Sequence, residues 1–482
     1  MEAASASFLI SEKVGAQSVN VTCAPIAGVF GSLRTTVTLL RNGDEQVCLI
    51  TPHVVTHTHR LYRGFQRLVR RELGLSEDRV LVMGSHNHTT CRLSDEVQGA
   101  NWGMASRSGP PPLTDTGKRY FDKLGRTLRK LPRKMQPVKI SWAVGREGRI
   151  SYNRKGRRAD GSTYFMREED RCKVGRDFRG DIDEEAPVVC LKNLDGTINT
   201  FITHFNAHPV TAYHPEHCYI FGEYPQVAGE VLANHYRRRN PNLEVAFVQG
   251  CAGDINSKGM FSCNVAMARR FGRMLGRTYI EASKKLRRSK SEDLSLTRTA
   301  VEVPCRRLPG LKALKKELAD INDFIRRGDQ GDEDTRSCVG MNFPKRLSPP
   351  FRAATVRIAR RWSQWAIRMH ESERLDQVPR HLEMEVCVLR LGDVAIIGLP
   401  GEPFIGIGRQ IRAGSPAPLT IPCGYTNVSY GYVPDGQNVG DREYMSAFYR
   451  YTKWPPYRKP GGDVLARCAV TELKKRFRNV HR

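Results

Sequence analysis

Short apolar runs recur along this chain, and each ends in a cluster of small and polar residues. Arg79-Val80-Leu81-Val82-Met83 predicts a short buried strand, because an unbroken apolar run too brief for a helix suits an extended segment covered on both faces. Asn199 to Phe205 predicts another, and Pro209, which cannot donate to a ladder, ends it and leaves His208 at its mouth. Leu243 to Val248 runs into the small-residue turn Gln249-Gly250-Cys251-Ala252-Gly253-Asp254-Ile255-Asn256, with a helix expected beyond it. Val394 to Leu399 empties into Pro400-Gly401-Glu402-Pro403-Phe404. Apolar residues at helical spacing predict amphipathic helices: Leu61, Phe65, Leu68 and Val69 on one, Leu311, Leu314, Leu318, Ile321 and Ile325 on another. A last helical stretch runs from Val464 to Phe477. The segment Arg327 to Phe351, with its Gly, Asp, Ser and Pro residues, predicts an irregular insert that reads as a loop or lid.

The chemistry gathers where the strands stop. Gly84-Ser85-His86-Asn87-His88-Thr89 follows the first run, and residues i and i+2 of an extended chain point to the same face, so His86 and His88 project together. Two neutral imidazoles at a strand edge suit a catalytic metal or a proton-transfer pair. The other His-x-His, His57-Thr58-His59, opens a helical stripe and reads as a solvated helix start, while His204 reads as a satisfied strand histidine. Four strand ends thus deliver His86, His208, the Asp254/Asn256 turn and Glu402. Sites on sheet-based folds are commonly built there, from loops held by a rigid scaffold.

In their order and spacing these segments resemble the neutral, non-lysosomal ceramidase family over most of residues 17–450. The residues that carry the resemblance are Ser85-His86-Asn87-His88-Thr89, Ala207-His208-Pro209-Val210, Leu399-Pro400-Gly401-Glu402-Pro403-Phe404, Asn153-Arg154, and Asn427-Val428-Ser429-Tyr430-Gly431-Tyr432-Val433. The resemblance implies a mixed α+β fold with mixed β-sheets flanked by helices. The wide spread of the motifs points to one catalytic domain over residues 1–482, and the family's C-terminal immunoglobulin-like domain is not expected, because after the tyrosine segment only the helical stretch Val464 to Phe477 remains. It further implies a zinc ion held by His86, His208, Glu402 and Tyr432. Nitrogen and oxygen donors suit zinc, though a phenol with a reference pKa near 10 ligates well only where the metal stabilises its anion. His88 is expected to pass a proton to the leaving amine, and Arg154 and Tyr449 to steady the developing oxyanion together with Asn256. Tyr449 is matched across an insertion near Gly436 to Asp441.

Two departures from the family bear on activity. Gly253-Asp254-Ile255-Asn256-Ser257-Lys258 replaces Gly-Asp-Val-Ser-Pro-Asn, so Asn256 stands where the family has its active-site serine. An amide donates hydrogen bonds but cannot act as a nucleophile, which leaves catalysis to metal-activated water. Ser257 substitutes only if the turn shifts register. Thr89-Thr90-Cys91-Arg92 also replaces the family's Ser-Gly-Pro beside the lipid-accommodating pocket.

Composition narrows the substrate. The start Met1-Glu2-Ala3-Ala4-Ser5 lacks a basic n-region, no apolar run approaches membrane-spanning length, and the 13 cysteines show no Cys-x-x-Cys spacing. The expectation is a cytoplasmic chain with reduced thiols and no transmembrane segment. A net charge of +27 is the strongest anomaly. Part of it is a solvated helix face, since Arg269, Arg270, Arg273 and Arg277 lie opposite Met267, Phe271, Met274 and Leu275. No zinc finger, RNA-recognition signature, Walker turn or dinucleotide fingerprint accompanies it, so no specific nucleic-acid partner is expected. The expected activity is zinc-dependent hydrolysis of a C–N amide bond in a small, soluble N-acyl compound, with or without an anionic group. The alternatives are a true ceramidase acting on N-acylsphingosine and a catalytically silent basic binding protein on the same scaffold.

Overall fold

Alternation along the strands sorts the side chains into layers. In Glu45–Pro52, Val47 and Leu49 turn to one side and Cys48 and Ile50 to the other, and both sides are buried. A strand buried on both faces must lie between two layers. In the computed structural model, which describes residues 1–16, 24–55, 58–96, 109–175 and 177–477, those layers are a second sheet on one side and helices on the other.

The larger sheet runs in the order Glu244–Gln249, Ile198–Phe205, Glu185–Asn193, Gln136–Arg146, Glu2–Ile10, Leu33–Asn42, Glu45–Pro52 and Val80–Val82, with Arg287–Arg288 paired beside Gln136–Arg146. Its pairings are antiparallel except at the two ends, where Ile198–Phe205 runs parallel to Glu244–Gln249 and Glu45–Pro52 parallel to Val80–Val82. The second sheet orders Leu294–Pro304, His381–Leu391, Val394–Gly398 and Leu419–Cys423. Leu49, Leu81, Ile140, Val189 and Ile202 of the first sheet meet Leu389, Leu391, Ile396 and Ile421 of the second in one apolar cluster.

Helices close both outer faces. His59–Leu73 and Asp115–Lys130 bury Phe65, Val69, Tyr120 and Leu124 against Val37, Ile50 and Val82. Glu223–Tyr236 and Val265–Ser283 bury Tyr224, Leu232, Leu275 and Tyr279 against Val188, Phe201 and Phe205. On the far side, Ile405–Gly414 and Asp463–Arg476 cover Val386, Val388 and Ile397 of the second sheet. The mixed α+β architecture expected above is therefore present as helix, sheet, sheet and helix layers. No helix among the described residues is long and apolar enough to cross a membrane. Every described cysteine is a free thiol.

Two expectations are corrected. The segment 327–351 is only partly irregular: one helix, Leu311–Asp329, runs into it and the next, Pro349–Glu371, begins before it ends, with a short hairpin of Ser337–Cys338 and Met341–Asn342 between. Phe343 and Leu347 are buried beside Phe324 and Phe351, and the buried Arg352 donates to the carbonyls of Glu333, Thr335 and Lys345. Those anchors pack the irregular stretch 330–348 against the helical layer. The turn after Gln249 does not lead straight into a helix either. Ile255–Ser257 first pairs with Ser151–Asn153, and the helix starts only after Asn264, whose side chain caps it through the Met267 N–H. Of the second His-x-His, His57 lies outside the described residues, while Thr58 caps the helix and His59 meets the Tyr430 hydroxyl at 3.2 Å.

The contact between the sheets is where stability should be most sensitive. Leu389 is fully buried there, so Leu389→Ala is expected to lower the unfolding free energy by about 2–5 kcal/mol, the usual cost of a leucine-sized cavity. Leu375, which is 45% exposed, should tolerate the same change within about 0.5 kcal/mol. Urea midpoints of the two variants decide it, and equal midpoints would contradict the assigned core.

Candidate metal centre

Three segments stitch the ends of the two sheets together. Asn427 accepts from the Val82 N–H through its side chain and donates its own N–H to the Val82 carbonyl. Gly84 donates to the Tyr425 carbonyl, and Gly424 to the Gln249 carbonyl. The loop 424–427 thereby lashes Val80–Val82, the turn after Gln249 and the end of Leu419–Cys423 to one another. The lashing requires unusual backbone: His86, Tyr425 and Asn427 have φ of 59°, 54° and 60°, a region disfavoured for residues with a Cβ. At Gly253 the close approach of another chain excludes a side chain altogether, because a Cβ there would collide with the Glu402 carbonyl.

The turn after Val80–Val82 carries His86 and His88. His86 Nδ1 lies 2.7 Å from the Val55 carbonyl, a contact only an N–H can make, and its Nε2 is the ring atom that faces inward. Just past Ile198–Phe205, His208 does the same, with Nδ1 2.6 Å from the Ala252 carbonyl and Nε2 turned into the cluster. Glu402 pairs in register with Tyr432 in a two-stranded parallel sheet, which sets both side chains at the same place. Glu402 Oε2 is 2.9 Å from His208 Nε2 and 3.3 Å from His86 Nε2. His88 Nε2 lies 3.1 Å from His86 Nε2. The ligand atoms of His86, His88 and His208 all fall within 4.8 Å of one another, so the group can hold a metal ion.

Burial gives these groups their charge states. It depresses the His208 imidazolium to about 3, with the neighbouring Arg154 acting in the same direction and Glu402 against it. Burial, then His86 and His208, hold His88 well below its ordinary value. Burial alone would raise Glu402, but the His86 and His208 imidazoles outweigh it and keep the carboxyl below the usual carboxylate range. His208, neutral and with its Nδ1 proton committed to the Ala252 carbonyl, therefore turns its Nε2 lone pair toward an anionic oxygen. Where His208 Nε2 carries no proton, it and the Glu402 oxygen 2.9 Å away are two acceptors that repel, and a cation in their midst removes the conflict.

Around this group lie the other residues singled out in the sequence. Arg154 is 2% exposed and donates through Nη2 to the Gly253 carbonyl at 2.6 Å and the Tyr432 hydroxyl at 2.9 Å, with its guanidinium 5.0 Å from the centre of the Tyr432 ring. Neither acid that might have claimed it does so: Asp160 accepts from the Ser162 N–H and Glu168 pairs with Arg171. Asn256, fully buried, bridges His208 through the backbone, and its Oδ1 has no hydrogen-bond partner among the described residues. Ser257 bonds the Val210 N–H and the Thr211 hydroxyl, so it is not turned into Asn256's place. His204 is bonded to the Val248 carbonyl, in keeping with a structural role. Burial raises the Tyr432 phenol, and Arg154 opposes that.

Tyr449 is placed elsewhere. Its ring packs 4.9 Å from Trp362 and against the Arg450 guanidinium, among helix contacts. Tyr444 occupies the neighbourhood instead, with its ring 5.5 Å from Tyr432. Two further aromatic residues escaped sequence reasoning. Tyr425 lies 4.3 Å from the His86 ring and holds its hydroxyl 3.4 Å from the His208 nitrogens, and Tyr213 lies 4.9 Å from His88. Tyr425 stands only two residues before the Asn427 to Val433 motif, but no spacing rule marks it.

No family model and no curated protein matches the sequence. The fold does match solved structures. Neutral ceramidase from Pseudomonas aeruginosa superposes with a TM-score of 0.65 at 13% identity, over 99% of this chain and 74% of that one. A ceramidase complexed with C2 gives a TM-score of 0.65 at 14% identity, over 99% of this chain and 75% of the other. At such identities the likeness is one of fold: the chain has a neutral-ceramidase-like fold throughout its length.

Proposed function

We propose that this protein is a zinc-dependent hydrolase of the amide C–N bond of a small N-acyl compound. The observation that carries the reading is the inward-facing set of His86, His88 and His208 nitrogens around the Glu402 carboxylate, with the Nδ1 atoms of His86 and His208 pinned by carbonyls. Three histidines and one carboxylate, charge-neutralised only by a cation, fit zinc, and Tyr432 stands beside them as a further oxygen donor. When bound there, zinc would supply Lewis-acid polarisation of the substrate carbonyl and of water.

The chain's own residues supply the rest. Arg154, buried and without a carboxylate partner, offers a guanidinium to the oxygen on which negative charge develops or to a carboxylate of the substrate. Asn256 offers a side-chain amide from the position next to His208 and no nucleophile. The depressed basicity of His88 suits a group that takes a proton only transiently and releases it to a leaving amine, provided it is not itself a ligand. The fold likeness supports a second reading, true ceramide hydrolysis. The Asn256 substitution and the buried unpaired arginine favour a soluble, anionic amide.

Three outcomes are expected. Elemental analysis of protein purified without added metal should find about one zinc per chain, with His208→Ala and Glu402→Gln losing both metal and activity. Metal-free protein whose activity is untouched by His208→Ala would end the metallohydrolase reading. Asn256→Ala should keep its zinc while kcat falls roughly 10²–10³-fold, the usual effect of removing one oxyanion donor, and loss of metal in that variant would make Asn256 structural instead. Finally, kcat/KM should be higher for N-acyl amino acids than for ceramide, and Arg154→Lys should lower the former about tenfold or more. A preference for ceramide, or an indifferent Arg154→Lys, would refute the anionic-substrate assignment.

A further inference from the structure

A groove of about 710 Å³ opens on the molecular surface between the helix Val265–Ser283 and the segments around Gly148 and Asp177. It is lined by the cations Arg149, Arg171, Arg179, Lys258 and Arg270 together with the apolar side chains of Met267, Phe271 and Met274. Glu168 and Asp177 are the acids that line it, so positive charge predominates. Three of the five cations are engaged: Arg149 with Glu147, Arg171 with Glu168 and Arg179 with Glu184. Lys258 and Arg270 form no ion pair among the described residues.

The charge in this groove is under-compensated. Lys258 is half-buried, and burial and the adjacent Arg171 and Arg179 weaken its hold on its proton despite the opposing fields of Asp177 and Glu168. Two cations without partners, held over a thioether and aromatic floor, are the complement of an anion joined to an apolar segment. The volume lies in the range of small-molecule sites. None of the lining residues belongs to the histidine centre, and the nearest connection is Lys258, two positions beyond Asn256.

We propose that this groove is a separate binding site for an organic anion, a carboxylate attached to an apolar chain, with the carboxylate between Lys258 and Arg270 and the chain on Met267, Phe271 and Met274. The site does not depend on the hydrolase reading, because none of its groups is a candidate ligand or catalytic residue.

Decanoate is the probe, titrated calorimetrically into the full chain. Saturable binding is expected, weakened about tenfold for each contact removed in Lys258→Gln and Arg270→Gln, and retained in Lys258→Arg with Arg270→Lys. Met274→Asp should weaken it as well. Decanamide, which keeps the chain but not the charge, and inorganic phosphate, which keeps the charge but not the chain, should both bind at least about tenfold more weakly than decanoate. Binding should survive His208→Ala, which separates this groove from the histidine centre. Loss of decanoate binding in His208→Ala, equal affinity for decanamide or phosphate, or no effect of the two charge-removing substitutions in variants with unchanged melting would each overturn the proposal.

Discussion

A buried carboxylate has to be answered by positive charge, and the site is organised around that requirement. Glu402 is 3% exposed and no lysine or arginine forms an ion pair with it among the described residues. Removing an uncompensated ionised group from water costs far more than a folded domain has to spare. Two imidazoles touch its Oε2, and a buried guanidinium lies one hydroxyl away across Tyr432. Burial holds His208 neutral and backbone carbonyls orient both imidazoles, an arrangement that accommodates a cation.

The scaffold exists to keep those groups from relaxing. If His86 or His208 could rotate, each would turn its lone pair away from the carboxylate and the conflict would vanish. The Val55 and Ala252 carbonyls prevent it. Those carbonyls stay in place because the loop 424–427 bonds both sheets, and the left-handed backbone at His86, Tyr425 and Asn427 is held by that same bonding. Strain of this kind, at about 1–3 kcal/mol per residue, persists only where surrounding structure over-determines it. The face-to-face sheets provide that surrounding structure.

The excess of basic residues is not spread evenly in its effect. Many arginines are absorbed locally by acids three residues away or across a strand, as at Arg171 with Glu168 and Arg298 with Glu385. Both of those arginines are largely buried, whereas pairs at the surface, such as Arg326 with Asp323, contribute little to stability. Arg154 is different, since it is buried, donates to a carbonyl and a phenol, and forms no ion pair with an acid among the described residues. Arg270 and Lys258 remain without acid partners at the surface groove. The charge that matters for recognition is the unpaired fraction.

The apolar runs by themselves determined the strands Val80–Val82, Ile198–Phe205, Glu244–Gln249 and Val394–Gly398 and the helical stripes, because burial periodicity is a local property of the chain. They also placed His86, His208 and Glu402 at strand ends, and the proline and glycine punctuation that stops the strands is equally local. Contacts between distant segments were not legible. That His88 would point its Nε2 at His86, that Tyr425 would stand against both histidines, and that Tyr449 would instead pack on Trp362 depended on how two sheets meet. What the irregular part of 327–351 packs against was not legible for the same reason, since Phe343 and Leu347 find their apolar partners on helices that lie outside or at the edge of that segment. Sequence pattern fixes which face of an element is buried. Only the folded chain decides what it is buried against, and at this site the identity of the neighbour sets each tautomer and each charge.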